Sequence, residues 1–137
     1  MNKIDLAKRA SENKNLIEYS DRSHVNCFRF SIGNSIQHEL AKFFVCWFLA
    51  NGGDIRVLGG YAKEIINSID WSRYNDLFKQ WCFKGSERNF ICEARFMKSK
   101  ERADVFCLES GERIEVETDK KRAERFKDKK GVLVLEV

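Results

Sequence analysis

The sequence lacks several features that would assign it to a specialised class of protein. Its 137 residues contain no proline, no internal repeat and no low-complexity linker. No apolar run approaches the roughly 20 residues of a membrane span, and no apolar signal-peptide core follows the first five residues. We therefore expect a single domain over residues 1–137, soluble and cytoplasmic, with no membrane partner.

Cysteine is present, but it shows no recognisable framework. The five cysteines are scattered, odd in number and never spaced as Cys-x-x-Cys. Most stand in apolar strings, so we expect reduced core residues and no disulfides. His24 and Cys27 have the spacing of half a zinc site, but no second half accompanies them. A structural zinc is not expected.

The composition is that of a globular domain with a moderate positive charge. Hydrophobic residues make up 43 % of the chain and aromatic residues 12 %, which suffices for a substantial core. The net charge of +4 does not by itself demonstrate a nucleic-acid partner. However, residues 119–130 contain seven basic and three acidic side chains, an excess that equals the charge of the whole chain.

Apolar periodicity predicts helices in the first half of the chain. The clearest helix follows Asn34, which suits an N-cap with Gln37 three residues on, and it ends at residues 52–53, where two glycines stand. It is apolar over most of its surface, so it should be central. The other expected elements here are a helix over 3–20, short strands over 26–30 and 54–60, and one or two helices over 61–83 within a helical insertion at 61–85.

The second half of the chain predicts a sheet. Strands are expected over 89–97, 102–109 and 113–118, followed by a basic helix over 119–129 and a buried strand over 132–136. The last two strands should be parallel because a helix connects them. The predicted class is α/β (α+β), a central mixed sheet flanked by helices, with extra helices at the N-terminus and in mid-chain.

The predicted hairpin over 102–118 carries three acids. A two-residue turn at 110–111 would set Asp104 opposite Glu117, and the period of two would put Asp104, Glu115 and Glu117 on one face. Like charges across a sheet are destabilising, so such a cluster usually surrounds a cation. The inference depends on register, since a slip by one residue would separate Asp104 from the other two.

The segments Arg102-Ala103-Asp104-Val105 and Ile114-Glu115-Val116-Glu117, together with the central helix, resemble the PD-(D/E)xK nuclease superfamily. This group includes restriction endonucleases, archaeal Holliday-junction resolvases and nucleases of viruses and plasmids. The resemblance covers about residues 35–53 and 89–136 and implies a restriction-endonuclease-like core. Ala103 stands where the family pattern has Pro, and Glu117 stands where it has the catalytic Lys.

The resemblance also implies a set of site residues. Asp104 and Glu115 would bind Mg²⁺ or Mn²⁺, with Glu39 of the central helix as a further ligand, and no organic cofactor is implied. Glu117 could be another acidic site residue, and Lys42 or Lys120 could replace the missing Lys. Glu93 is a further candidate on the preceding strand. Alternatively, Glu39 would simply form a salt bridge with Lys42.

The implied partner is DNA, and a homodimer is an option because related nucleases pair to cut two strands. The candidate DNA contacts are Lys120, Lys121, Arg122 and Arg125 of the basic helix, together with His38. Three functions compete. The first is Mg²⁺-dependent hydrolysis of DNA, either structure-selective or nonspecific. The second is DNA binding by a nuclease fold that has lost catalysis. The third is a protein-interaction subunit that uses the aromatic residues of 61–83.

Overall fold

The computed structural model describes residues 2–18, 25–31, 33–58, 64, 67, 68, 70, 80–127 and 129–136. The helices are α1 (Lys3–Lys14), α2 (Ile36–Ala50), α3 (Ile55–Leu58) and α4 (Lys120–Lys127). The strands are β1 (Cys27–Arg29), β2 (Gln80–Cys82), β3 (Phe90–Arg95), β4 (Arg102–Cys107), β5 (Arg113–Glu117) and β6 (Val132–Glu136). The α+β class with a mixed sheet is therefore confirmed.

The main sheet has the strand order β3-β4-β5-β6. β3 pairs with β4 and β4 with β5 in antiparallel fashion, whereas β5 and β6 are parallel, as predicted from the intervening helix. α4 provides this connection and packs against β5 and β6, with Ala123 fully buried.

α2 is the central helix and covers one face of the sheet. Its apolar side chains pack against Val105, Ile114 and Val116 of the sheet in one continuous core. The N-cap is Ser35 and not Asn34, since the Ser35 hydroxyl accepts from the His38 backbone N–H at 3.1 Å. The helix ends at Ala50, just before the predicted glycine stop, and Gly52 follows with a φ of 79° that few other residues adopt.

Three sequence-based boundaries are wrong. α1 ends at Lys14, six residues early, because the chain then turns to form a bridge between Ile17 and Phe96. The expected strand over 54–60 is instead the helical turn α3, which begins after Asp54 accepts the Arg56 N–H at 3.0 Å. The helices expected over 61–83 lie largely outside the described residues, but residues 80–82 form a strand.

The β4–β5 hairpin has a different register from the predicted one. Val105 pairs with Ile114 and Phe106 with Arg113, so continuing the ladder sets Asp104 opposite Glu115 and not Glu117. The loop is longer than two residues, because the Cys107 N–H donates to the Glu112 carbonyl at 2.9 Å. The shift is by two residues, an even number, so each side chain keeps its predicted face.

The expectation of five reduced cysteines is also wrong. Cys27 and Cys82 are direct partners in the two-stranded sheet β1-β2 and form a disulfide. The sequence did not predict this pair, because residues 80–82 were expected to be helical. The remaining cysteines (Cys46, Cys92 and Cys107) are free and buried, as expected. None of the described helices is long and apolar enough to cross a membrane.

Candidate active site

The candidate site lies where the β4–β5 ladder opens beside the first turn of α2. The last paired residues are Val105 and Ile114, and beyond them the Asp104 side chain accepts the Val116 backbone N–H at 2.7 Å. The carboxylate therefore satisfies a donor that lacks a ladder partner in the splayed pair. This contact fixes Asp104 at the open end of the hairpin.

The first turn of α2 delivers His38 to this end of the sheet. Its Nε2 lies 3.3 Å from an Asp104 carboxylate oxygen, and its Nδ1 lies 3.4 Å from Glu39. Burial alone would lower the pKa of His38, but the hydrogen bonds to Asp104 and Glu39 outweigh it and raise the pKa to about 10. His38 is therefore a cation at neutral pH and bridges the two carboxylates.

Lys42 lies one turn further along α2 and is completely buried. Its ammonium is 2.7 Å from a Glu39 oxygen and 2.5 Å from a Glu93 oxygen, so two carboxylates hold it. Burial alone would lower the pKa of Lys42, but Cys92, Glu93 and Glu39 raise it above its ordinary value. The alternative expected for Glu39, a salt bridge to Lys42, is thus present within the site.

Glu39 is fixed by more than its two cations. It is 1 % exposed, and its carboxylate also accepts the Ser31 backbone N–H. Burial would raise the pKa of Glu39, but the hydrogen bonds to His38 and Lys42 lower it below its ordinary value. Glu39 is consequently a structural anion whose oxygens are already engaged on several sides.

Glu93 reaches the site through an unusual backbone conformation. It stands on β3 between Cys92 and Ala94, which pair with Val105 and Ala103, so it lies level with Asp104. Its φ is 53°, in the left-handed region that a non-glycine residue rarely adopts within a strand. Such strain persists only where the surroundings impose it, and it is a frequent mark of functional sites.

Glu115 completes the group from β5. Its carboxylate lies beside that of Asp104 and near Glu93. Burial raises the pKa of Glu115 to about 8, and the proximity of Asp104 contributes to the rise. The two adjacent carboxylates therefore do not both ionise readily, although His38 contacts Asp104.

The six side chains form a group in which charge does not balance. Four are carboxylates (Glu39, Glu93, Asp104 and Glu115) and two are cations (His38 and Lys42). Full ionisation would leave two negative charges uncompensated over the whole group, and Glu115 is the member that forms no ion pair in the described residues. One divalent cation would neutralise that excess.

The remaining predicted site residues lie apart from this group. Glu117 is half-buried, accepts the Asp119 N–H at 3.3 Å and stands level with Glu136 of β6. The predicted DNA contacts on α4, which are Lys120, Lys121, Arg122 and Arg125, are all exposed. Lys120 makes no described contact with the carboxylates, so Lys42 is the lysine that the structure brings to them.

The donor chemistry at Asp104 and Glu115 suits a hard divalent cation. In the described part of the chain, no group of three or more His, Cys, Asp or Glu side chains is arranged to hold a metal ion. Mg²⁺, however, commonly uses one or two carboxylates and keeps several waters. The adjacent carboxylates of Asp104 and Glu115 fit this mode, and burial together with the proximity of Asp104 raises the pKa of Glu115.

Comparison with family models, with curated proteins and with solved structures finds no match to this chain. The role of the site is therefore inferred from its geometry alone. Sequence reasoning named all six of its side chains but missed two backbone donors, the Ser31 and Val116 N–H groups. It also missed Arg113, which shares the face of Glu115; the alternation of β5 was the available signal.

Proposed function

We propose that this chain hydrolyses phosphodiester bonds in DNA in a reaction that requires Mg²⁺ or Mn²⁺. The observation that carries the proposal is the pair Asp104–Glu115, two adjacent and partly buried carboxylates, of which Asp104 contacts His38 and Glu115 forms no ion pair in the described part of the chain. The order α2-β3-β4-β5-α4-β6 supports it, because it fits the helix, hairpin and crossover of the PD-(D/E)xK resemblance.

Asp104 and Glu115 would hold the ion. When bound there, it would supply Lewis acidity toward a phosphate oxygen and a lowered pKa for an attacking water. Asp104 is oriented for this by the Val116 N–H and by His38. His38 also places a positive charge beside the carboxylates, where an incoming phosphate would carry negative charge.

Lys42 would supply the positive charge that the family's lysine provides, because Glu117 is a carboxylate and cannot supply it. The lysine is held by Glu39 and Glu93 within the site, while the residue at the family's lysine position is a carboxylate. Its positive charge, fixed in a buried setting, lowers the cost of gathering the carboxylates and steadies charge that develops at the phosphate. Glu117 would lie at the edge of the site.

The exposed cations of α4 would contact the DNA backbone. The helix starts three residues after Glu117, so its first turn lies next to the C-terminal end of β5. Lysine and arginine in this position favour phosphate contacts, which give salt-dependent affinity without sequence preference.

Cleavage of supercoiled plasmid in Mg²⁺ or Mn²⁺ tests the proposal. Asp104→Asn and Glu115→Gln should each lower the cleavage rate at least roughly a hundredfold, because each removes one charged ligand. DNA binding at low salt should persist in both variants. Glu12→Gln on α1 makes the same chemical change at an exposed position and should leave the rate unchanged. Full activity in Asp104→Asn would refute the site.

A nuclease fold that binds DNA without cutting it is the second candidate. It is favoured by Glu117 at the expected lysine position and by Lys42, which is 0 % exposed and already held by two carboxylates. A calorimetric titration with Mn²⁺ separates the two candidates. Heat of binding that disappears in Glu115→Gln supports hydrolysis, whereas no metal uptake together with DNA binding supports the binding protein.

A further inference from the structure

A cavity of about 220 Å³ lies beside Glu115. Its walls come from the β3–β4 turn, the start of β4, β5 and the end of α4. Glu115 is therefore shared between the candidate active site and this cavity. Anything bound in the cavity would touch the residue proposed to hold the metal.

Cations outnumber acids in the lining of the cavity. Arg102, Arg113 and Lys129 contribute three positive charges, against the carboxylates of Glu101 and Glu115. Glu101 is already neutralised, since it accepts from Arg113 at 2.7 Å. Neither Arg102 nor Lys129 forms an ion pair with any carboxylate in the described ranges. Two cations of the cavity wall are therefore available to contact a ligand.

The cavity is rigid on one side and apolar on another. Arg113 is fixed twice, by Glu101 and by the ring of Phe96, whose centroid lies 3.7 Å from its guanidinium carbon. Phe126 and Val132 supply an apolar wall, and the Lys129 ammonium lies 5.0 Å from the Phe126 ring centre. A cationic side next to an apolar side matches a phosphate attached to a sugar.

The size of the cavity restricts the occupant. A water molecule occupies about 30 Å³ in the liquid, so the space equals roughly seven waters. It lies below the roughly 300–1,000 Å³ of pockets for drug-sized ligands, and a double helix cannot enter it. One phosphate with its sugar is of suitable volume.

We propose that this cavity binds the phosphate and sugar of a single nucleotide of the substrate strand, next to the bond that is cut. Arg102 and Lys129 contact the phosphate oxygens, Arg113 orders the wall, and Phe126 packs against the sugar. The assignment rests on the proposed function for its place in a reaction, but binding of a nucleotide is independent of cleavage. The phosphate belongs either to the interior of a strand or to its end.

Binding is measured without metal and without catalysis. In EDTA, thymidine 5′-monophosphate is titrated into the ¹⁵N-labelled chain, and amide shifts are followed by NMR. We expect shifts centred on Arg102, Arg113, Lys129 and Val132, and much weaker binding of thymidine, which lacks the phosphate. Arg102→Gln and Lys129→Gln should each weaken binding roughly tenfold, as for a lost charge-assisted hydrogen bond.

Lys8→Gln on α1 is the matched control, because it removes one exposed positive charge elsewhere. It should leave the affinity unchanged. The proposal is overturned if shifts are absent at millimolar nucleotide, if they spread over the exposed face of α4, or if Lys8→Gln weakens binding as much as Lys129→Gln. The dinucleotides pTpT and TpT then distinguish the source: a preference for pTpT identifies a terminal phosphate, and equal affinity an internal one.

Cleavage assays on the same variants keep the two proposals separable. If the nucleotide does not bind but Asp104-dependent cleavage persists, the subsite is refuted and the nuclease proposal stands. If the nucleotide binds and Asp104→Asn has no effect on cleavage, the nuclease site is refuted and the cavity remains a nucleotide site.

Discussion

The two ends of the charged group differ in how their carboxylates are balanced. At one end Glu39 and Glu93 share the buried ammonium of Lys42, with oxygen–nitrogen distances of 2.7 and 2.5 Å. At the other end Asp104 and Glu115 lie side by side, His38 contacts Asp104 at 3.3 Å, and the pKa of Glu115 rises to about 8, chiefly through burial. At the first end one cation contacts both carboxylates, whereas at the second end His38 contacts Asp104 and Glu115 has no ion pair among the described residues.

This difference separates a structural role from a chemical one. A buried carboxylate is tolerated when a fixed cation and hydrogen bonds replace its water, which is the condition of Glu39. At Asp104 and Glu115 the lost water is replaced less completely, so burial of these two carboxylates destabilises the folded protein. This free-energy cost is expected at a binding site, where the binding of a ligand offsets it.

The largest effect is expected from removing the cation of the balanced end. Lys42→Met leaves the buried Glu39 and the partly buried Glu93 without their ammonium, and breaking a buried pair in this way costs about 3–5 kcal/mol. Urea unfolding should show that loss of stability. Lys8→Met, at an exposed site, should change the free energy of unfolding by less than about 0.5 kcal/mol.

A double-mutant cycle sharpens the same comparison. Adding Glu93→Gln to Lys42→Met removes one of the unpaired charges, so the double variant should be more stable than the sum of the two single changes predicts. Additive losses would mean that Lys42 stabilises the protein through packing alone, including its position 5.5 Å from the Phe28 ring.

The unbalanced end should be sensitive to pH. The folded pKa of Glu115, about 8, lies above its ordinary 4.5, so its contribution to stability is complete below about pH 4.5 and is lost as the pH rises through 8. The folded pKa of His38 is about 10, against an ordinary 6.5. The contribution of His38 to stability is therefore complete below pH 6.5 and is lost as the pH rises through 10. In EDTA, the melting temperature should therefore fall by several degrees between pH 5 and pH 9.

Glu115→Gln should flatten much of that fall, since the amide does not titrate. Added Mg²⁺ or Mn²⁺ should raise the melting temperature of the original chain more at pH 9 than at pH 5, because the ion competes with the proton on the carboxylate pair. An equal effect of metal at both pH values, or the same profile in Glu115→Gln, would contradict the assignment of the missing charge to this end.

Local patterns in the sequence predicted much of this arrangement. Alternation in β4 and β5 gave the common face of Asp104 and Glu115, and the apolar periodicity of α2 made it central. The sequence could not give the register, because a buried Leu108 and a positive φ at Gly111 set a longer loop. Nor could it give the Cys27–Cys82 pair or the Glu93–Lys42 contact, which join segments 55 and 51 residues apart.

The smallest effects are expected on α4, whose cations contrast with Lys42 because water already surrounds them. Lys121→Gln and Arg125→Gln should leave the melting temperature nearly unchanged, since both side chains are exposed. Each should weaken binding to any DNA sequence alike and reduce the slope of log K against log salt concentration by about 1. Fluorescence anisotropy with a labelled duplex over a range of salt concentrations measures this slope. Lys8→Gln serves as the control, and if it lowers the slope as much as Lys121→Gln does, the affinity arises from overall charge and not from α4.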